Sequence, residues 1–125
     1  MAEIRITAGE VTLSGVLNES PTAKLIWEAL PFEGRANVWG DEIYFEIPVV
    51  AEQGADARQD VEVGDLGYWP TGQAFCIFFG PTPVSVDERP RAYSPVNVIG
   101  SVSGDVSLLR KVPDGAHVSV AKAGE

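Results

Sequence analysis

The chain has 125 residues, 45% of them hydrophobic and 22% charged, which is the balance of an ordinary soluble domain that can bury its own core. Its formal net charge is −9, and eight carboxylates between Asp41 and Asp65 face only Arg58. Nucleic-acid binding and docking on anionic membranes are therefore not expected, because both need a basic surface.

Sequence signals for targeting and for metal binding are missing as well. Residues 1–5 do not begin a secretory signal, and no run of about 18 apolar residues predicts a membrane-spanning helix. The single cysteine, Cys76, cannot form an internal disulfide, and no Cys/His cluster has the spacing of a zinc site. We therefore expect one cytoplasmic domain over residues 1–125, without a metal or other cofactor.

The N-terminal third predicts a β-hairpin followed by a helix. Residues 4–6 and 11–17 alternate between apolar and polar side chains on either side of Ala8-Gly9, as paired strands with one buried face do. A helix is then predicted over residues 20–30, because Ser20 is a good N-cap, Pro21 suits the first helical position and Pro31 ends the run. Its broad apolar stripe indicates that the helix covers an open end of a sheet or barrel.

Two alternating strands are predicted next, over residues 34–39 and 42–47, around a Gly40-Asp41 turn of type II′. In the second strand Glu42, Tyr44 and Glu46 share one face, and Ile43, Phe45 and Ile47 share the other. Because Asp beside Gly is typical of tight turns, we interpret Asp41, Glu42 and Asp65 as turn residues, with acid–base chemistry as the alternative.

The rest of the chain is divided into short strands by turns and loops. Residues 74–79 are apolar at every position, which predicts a strand covered on both faces. The other predicted elements are strands at 61–69, 96–102 and 118–120, a helix-like turn at 106–109, and loops at 51–58 and 80–95. About eight short strands, one capped helix and no βαβ alternation predict a mainly β, mostly antiparallel barrel with the helix at one end.

Three segments carry a family likeness: "NVWGDEIYFEIPV" at 37–49, "VEVGDLGYWPTGQAFCIFFGPTP" at 61–83 and "SPVNVIGSV" at 94–102. Together they resemble the prokaryotic cyclophilin-like domain family, and the likeness runs over residues 3–121. The resemblance implies a small closed antiparallel β-barrel of cyclophilin topology, without an established chemistry.

A fainter likeness joins residues 72–77 and 96–102 to the cyclophilin prolyl isomerases. Those enzymes carry a Phe-His-Arg element whose arginine bonds the proline nitrogen and eases rotation about the peptide bond. In this sequence the matching region holds only Arg35, without the histidine. The loop at 80–95 also lacks the tryptophan and histidine found there in the isomerases. If the protein is an isomerase, the resemblance implies that Arg35 is its catalytic residue.

The candidate ligand-binding residues lie on the predicted outer wall. Arg35, Asn37 and Trp39 share one strand face, which is either a ligand-facing patch or an ordinary outer face. Aromatic residues either fill the core or line a groove, and a buried asparagine either ties down a loop or faces a ligand. The other candidates are Tyr44, Tyr68, Trp69, Phe79, Thr82 and Asn97.

Cys76 and His117 are not predicted to take part in chemistry, because neither has a base or a nucleophile beside it in sequence. The sequence therefore favours a binding module that holds a small molecule or a proline-containing peptide in an outer-wall groove. A weak prolyl isomerase is the alternative, and a metabolic enzyme that uses the same groove is a third possibility. Sequence alone predicts no oligomeric state.

Overall fold

The computed structural model describes residues 2–124. Ten strands, one α-helix and one 3-10 helix occur in this part of the chain. The elements are β1 (Ala2–Ala8), β2 (Val11–Leu17), α1 (Pro21–Ala29), β3 (Phe32–Arg35), β4 (Asn37–Val38), β5 (Glu42–Glu46), β6 (Arg58–Asp60), β7 (Asp65–Trp69), β8 (Ala74–Phe78), β9 (Arg91–Ser103), the 3-10 helix Val106–Lys111 and β10 (His117–Lys122).

All strand pairings are antiparallel, in the order β3-β10-β1-β2-β9-β7-β8-β5-β4, with β6 pairing on β9. Hydrogen bonds do not close this sheet, but its two end strands, β3 and β4, are joined by the single residue Ala36. The chain therefore brings both ends of the sheet together. The ring centroids of Phe32 in β3 and Phe45 in β5 also lie 6.0 Å apart, between the two ends of the sheet. The predicted mainly β, antiparallel architecture is confirmed.

The single α-helix covers the core as predicted. Its N-cap Ser20 accepts a hydrogen bond from the Ala23 amide at 3.3 Å, which satisfies one of the free N–H groups of the first turn. Ala23 and Ile26 are buried in the same apolar cluster as the inward side chains of β1, such as Ile4. Among the described residues, no helix is long and apolar enough to cross a membrane.

Strand β8 is covered on both faces, which confirms the prediction for this run. Phe75 and Ile77 belong to the main core inside the curved sheet. Ala74, Cys76 and Phe78 point the other way, into a second buried cluster on the outer wall. That cluster is completed by residues from two other segments, Val61, Ala92 and Val96.

Three predicted boundaries were wrong. The strand expected over residues 34–39 breaks at Ala36, because the Ala36 amide donates to Ala116 O and the next strand pairs with β5 instead of β10. The strand expected from Val61 begins at Asp65, after a turn in which Asp65 Oδ2 accepts from the Glu62 amide at 2.9 Å. The loop expected to reach residue 95 ends earlier, since β9 starts at Arg91.

Candidate functional site

The second buried cluster forms the base of a cavity of about 260 Å³ on the outer wall of the sheet. Its position follows from the pairing of β6 with β9, which lays the start of β9 over the outward side chains of β8. The lining residues come from β5, β7, β9 and the turn before β5. They are Trp39, Glu42, Tyr44, Trp69, Ala92, Tyr93 and Val96.

Four aromatic rings form the wall of this cavity. Trp39 and Tyr93 lie 6.1 Å apart between ring centroids with planes at 73°, and Tyr93 and Trp69 lie 6.1 Å apart at 77°. Tyr44 and Trp69 complete the series at 6.0 Å and 81°. Such T-shaped contacts are a favourable geometry for aromatic pairs. The rings stand nearly perpendicular to their neighbours, like the sides of a box, and we call this arrangement the aromatic box.

Local structure holds two of these rings in place. The indole N–H of Trp69 donates to Ser94 Oγ at 2.6 Å, which ties β7 to β9. Trp39 precedes the two-residue turn, where the Trp39 amide donates to Glu42 O at 2.9 Å and the Glu42 amide donates to Trp39 O at 3.1 Å. Gly40 takes a φ of 59° in that turn, as the glycine-first turn predicted there requires.

Within the described part of the chain, the cavity lining contains one charged side chain, Glu42, which is only 5% exposed. Its Oε1 atom has no hydrogen-bond partner among the described residues. None of the ion pairs found between residues 2 and 124 includes this carboxylate either. Burial raises the pKa of Glu42 from 4.5 to about 7, and the Cys76 thiol, which also donates to Ala74 O at 3.8 Å, partly offsets the shift.

Cys76 lies beneath this carboxylate as a structural thiol. It is buried, and burial raises its pKa well above the usual value, with the charge of Glu42 adding to the effect. A thiol with a raised pKa holds little of the reactive thiolate, which agrees with the inert role that the sequence predicts.

Three of the nine predicted site residues meet in the cavity: Trp39, Tyr44 and Trp69. Arg35 and Asn37 lie nearby in sequence but make other contacts. Arg35 Nη1 donates to Gly115 O at 3.3 Å, and Asn37 Nδ2 donates to Tyr44 O at 3.2 Å. The shared face expected for Arg35, Asn37 and Trp39 is interrupted by the break at Ala36.

The other four predicted residues are buried among structural partners. Tyr68 donates its hydroxyl to Val49 O at 2.7 Å, and Phe79 packs in the main core. Thr82 donates to the carbonyl of Arg91. Asn97 accepts from the Gly54 amide at 2.8 Å and donates to Glu52 O and Thr22 Oγ1, so it ties the loop after β5 to the helix.

The remaining titratable candidates lie outside the cavity. Asp41 pairs with Arg110 at 3.0 Å beside the turn. His117 Nε2 lies 3.4 Å from Glu33 Oε1 on an exposed surface. Among the described residues, no group of three or more His, Cys, Asp or Glu side chains is arranged to hold a metal ion.

Glu42 and Tyr93 are not among the ligand-binding residues that the sequence predicts, although both line the cavity. The sequence favours a turn role for Glu42, with acid–base chemistry as the alternative, although its alternation with Tyr44 places both on one face of the strand. Tyr93 falls in the predicted loop at 80–95, but the structure places it on β9, where it is 68% exposed at the rim of the aromatic box. The sequence holds one signal for Tyr93. It is an aromatic residue in the proline-rich segment that follows β8, a strand covered on both faces.

The geometry defines a mainly β protein with a curved antiparallel sheet, one covering helix and an aromatic cavity on the outer wall. A family model described as Cyclophilin-like matches residues 2–121. The chain therefore belongs to the cyclophilin-like family, as the resemblance in the sequence indicated.

A solved relative supports the same assignment. The chain is 40% identical to a hypothetical protein from Archaeoglobus fulgidus whose structure was determined in solution. The two structures superpose with a TM-score of 0.82 over 98% of this chain and 95% of that chain. No curated protein matches the chain.

Proposed function

We propose that the protein is a binding module whose aromatic box holds a small molecule or a single side chain of a short peptide. One observation carries the proposal: four aromatic rings surround an open cavity that contains a buried carboxylate oxygen without a partner. An unpaired buried polar atom costs about 1–3 kcal/mol, so such atoms concentrate where a ligand or a reaction uses them.

The size of the cavity supports a small ligand. Pockets for drug-sized molecules span about 300–1,000 Å³, and this cavity of about 260 Å³ lies just below that range. Its lining is mostly aromatic with one polar group at depth, which is the usual composition of a small-molecule site. The exposed ring of Tyr93 adds apolar area that a ligand would cover.

No structural observation favours the isomerase alternative. The reaction would depend on Arg35, whose guanidinium bonds Gly115 O and does not line the cavity. A binding function needs only the four rings and the carboxylate, all of which meet in one place.

The proposal is tested by two-dimensional NMR of the ¹⁵N-labelled protein during titration with mixtures of small metabolites and with proline-containing dipeptides. The three tryptophans give three indole N–H signals, of which Trp39 and Trp69 report on the cavity. Trp27 lies on α1 and lines a separate groove, so its signal reports binding outside the aromatic box. A ligand is expected to shift the Trp39 and Trp69 signals together while the Trp27 signal stays in place.

A Tyr93→Ala variant provides the matched control, because it removes one wall of the box from an exposed position. Binding is expected to weaken by roughly tenfold in this variant, as the loss of about one aromatic contact implies. If no compound moves the Trp39 and Trp69 signals, or if Tyr93→Ala binds as tightly as the wild type, the proposal is wrong.

A further inference from the structure

The charge inside the aromatic box is of one sign only. Among the residues that the structure describes, Glu42 is the single charged residue of the lining, and no lysine or arginine lines the cavity. None of the ion pairs between residues 2 and 124 includes Glu42, so the carboxylate has no cationic partner in that part of the chain. The titratable side chains that surround Glu42 are Tyr44 on its own strand, Cys76 on β8 and Tyr93 on β9.

The rings around Glu42 add a second attraction for positive charge. Aromatic faces carry negative electrostatic potential, and cations bind to them most strongly where water is excluded. Cages of three or four aromatic rings are the usual recognition element for quaternary and methylated ammonium groups. The net charge of −9 on the whole chain also raises the local concentration of cations near the protein.

Other ligand classes match this lining less well. An anion would be repelled by the ionised Glu42. A neutral apolar ligand would fill the box but would leave the carboxylate unpaired in a drier environment, which is unfavourable. A cation satisfies both the carboxylate and the ring faces at once.

Building on the proposed function, we infer that the ligand of the aromatic box is a small organic cation with a substituted ammonium group. The cationic group lies between the rings of Trp39, Trp69 and Tyr93, with the carboxylate of Glu42 as its counter-ion. The remainder of the ligand extends past the exposed ring of Tyr93 toward solvent.

The test compares choline with 3,3-dimethylbutan-1-ol, a neutral molecule of the same shape in which carbon replaces nitrogen. Both are titrated at about pH 8, above the pKa of about 7 for Glu42, so that the carboxylate is ionised. Choline is expected to shift the Trp39 and Trp69 indole signals with a dissociation constant at least about tenfold lower than that of the alcohol.

Two glutamine variants on the same strand separate the role of the charge. Glu42→Gln keeps the shape of the side chain and removes its charge, so the preference for choline should fall below about threefold. Glu46→Gln removes an exposed carboxylate from the same face of β5 and should retain the full preference. Tyr93→Leu should weaken choline binding without loss of folding, because this side chain is 68% exposed.

Each outcome decides the inference. If choline and the alcohol bind equally, the box binds by shape alone, which overturns the inference but leaves the proposed binding function intact. If Glu42→Gln and Glu46→Gln behave alike, the carboxylate is not the counter-ion and the inference is overturned. If choline at concentrations up to about 50 mM shifts neither indole signal, the cationic ligand is excluded, because this concentration is far above the dissociation constants of weak complexes.

Discussion

The ring centroids of Tyr44 and Trp69 lie 6.0 Å apart with the ring planes at 81°, although the two residues belong to β5 and β7, which do not pair with each other. Strand β8 runs between them and places Cys76 opposite Tyr44 and Ala74 opposite Trp69. Because both intervening side chains are small, the two rings lean over β8 and touch. The small residues of β8 thus allow the aromatic box to form.

Cys76→Ala should raise the pKa of Glu42 further. The Cys76 thiol is the one cause that lowers this pKa, and alanine removes it while it keeps the small volume that the two rings need. A titration of the Glu42 side-chain carboxyl carbon by ¹³C NMR measures the change. An unchanged or lower pKa in the variant would show that the thiol does not stabilise the carboxylate.

Glu42 should make the protein less stable as the pH rises. Its pKa is about 7 in the folded state against 4.5 when exposed, so between these values the folded chain binds more protons than the unfolded chain. The contribution is fully present below about pH 4.5 and is lost as the pH rises through about 7. Over this range the wild type should lose roughly 3 kcal/mol that Glu42→Gln does not lose.

Urea unfolding at intervals from pH 4.5 to pH 8 measures this difference. Other titrating groups contribute equally to both proteins, so only the difference in unfolding free energy between them is used. Glu46→Gln serves as the control, because its carboxylate is exposed, and it should follow the wild type at each pH. Parallel curves for Glu42→Gln and the wild type would contradict the prediction.

Trp39 and Arg35 should differ in their effect on ligand binding, although only three residues separate them. Trp39 lines the cavity, whereas the Arg35 guanidinium bonds Gly115 O on another part of the surface. Trp39→Leu should weaken binding at least about tenfold, and Arg35→Ala should change it less than about twofold. The Trp69 indole signal measures binding in both variants. A loss of binding in Arg35→Ala would restore the outer-face patch that the sequence suggested.

Asn97→Ala should lower the free energy of unfolding by roughly 1–3 kcal/mol, because it leaves the partners of a buried amide unsatisfied. The amide accepts from Gly54 N and donates to Glu52 O and Thr22 Oγ1, at 2.8–3.0 Å. Urea unfolding measures the loss, and the Gly54 amide should also exchange faster with solvent. Asn37→Ala is the matched control, since this exposed amide donates one bond, and it should cost less than about 1 kcal/mol. Equal losses in both variants would refute the structural role of Asn97.

Gly40→Ala should destabilise the protein more than Gly115→Ala does. Both glycines have positive φ, at 59° and 88°, so alanine is strained by about 1–2 kcal/mol at either position. At Gly40 an added Cβ would also lie 2.8 Å from Pro83 Cδ and 2.9 Å from Thr82 Cα, whereas at Gly115 nothing lies within 4 Å. Urea unfolding should show at least about 1 kcal/mol more loss for Gly40→Ala. Similar losses would mean that the segment at 80–83 moves aside without penalty.

Several features were predictable because local rules decide them. The hairpin of β1 and β2 follows from period-two alternation, and the bounds of α1 follow from Ser20 and the prolines on either side. The turn at Gly40 and the full burial of β8 follow from short segments in the same way. Each of these depends on residues that are close in sequence.

The candidate site was only partly predictable because it depends on contacts between distant segments. Alternation along β5 shows that Glu42 and Tyr44 share a face, but it does not show whether another part of the chain covers that face. Here β6 pairs with β9, which brings Tyr93 within reach of Trp39 and turns an outer surface into a cavity.

The sequence by itself determined the mainly β class, the capped helix, the family likeness and three of the aromatic residues that line the cavity. Only the tertiary structure decided that one carboxylate oxygen of Glu42 is buried without a hydrogen-bond partner and that Tyr93 completes the box. The physical reason is that the alternation of apolar and polar residues along a strand shows which face of the sheet each side chain points to. The packing of a second layer, more than 40 residues further along the chain, decides which of those sides lose contact with water.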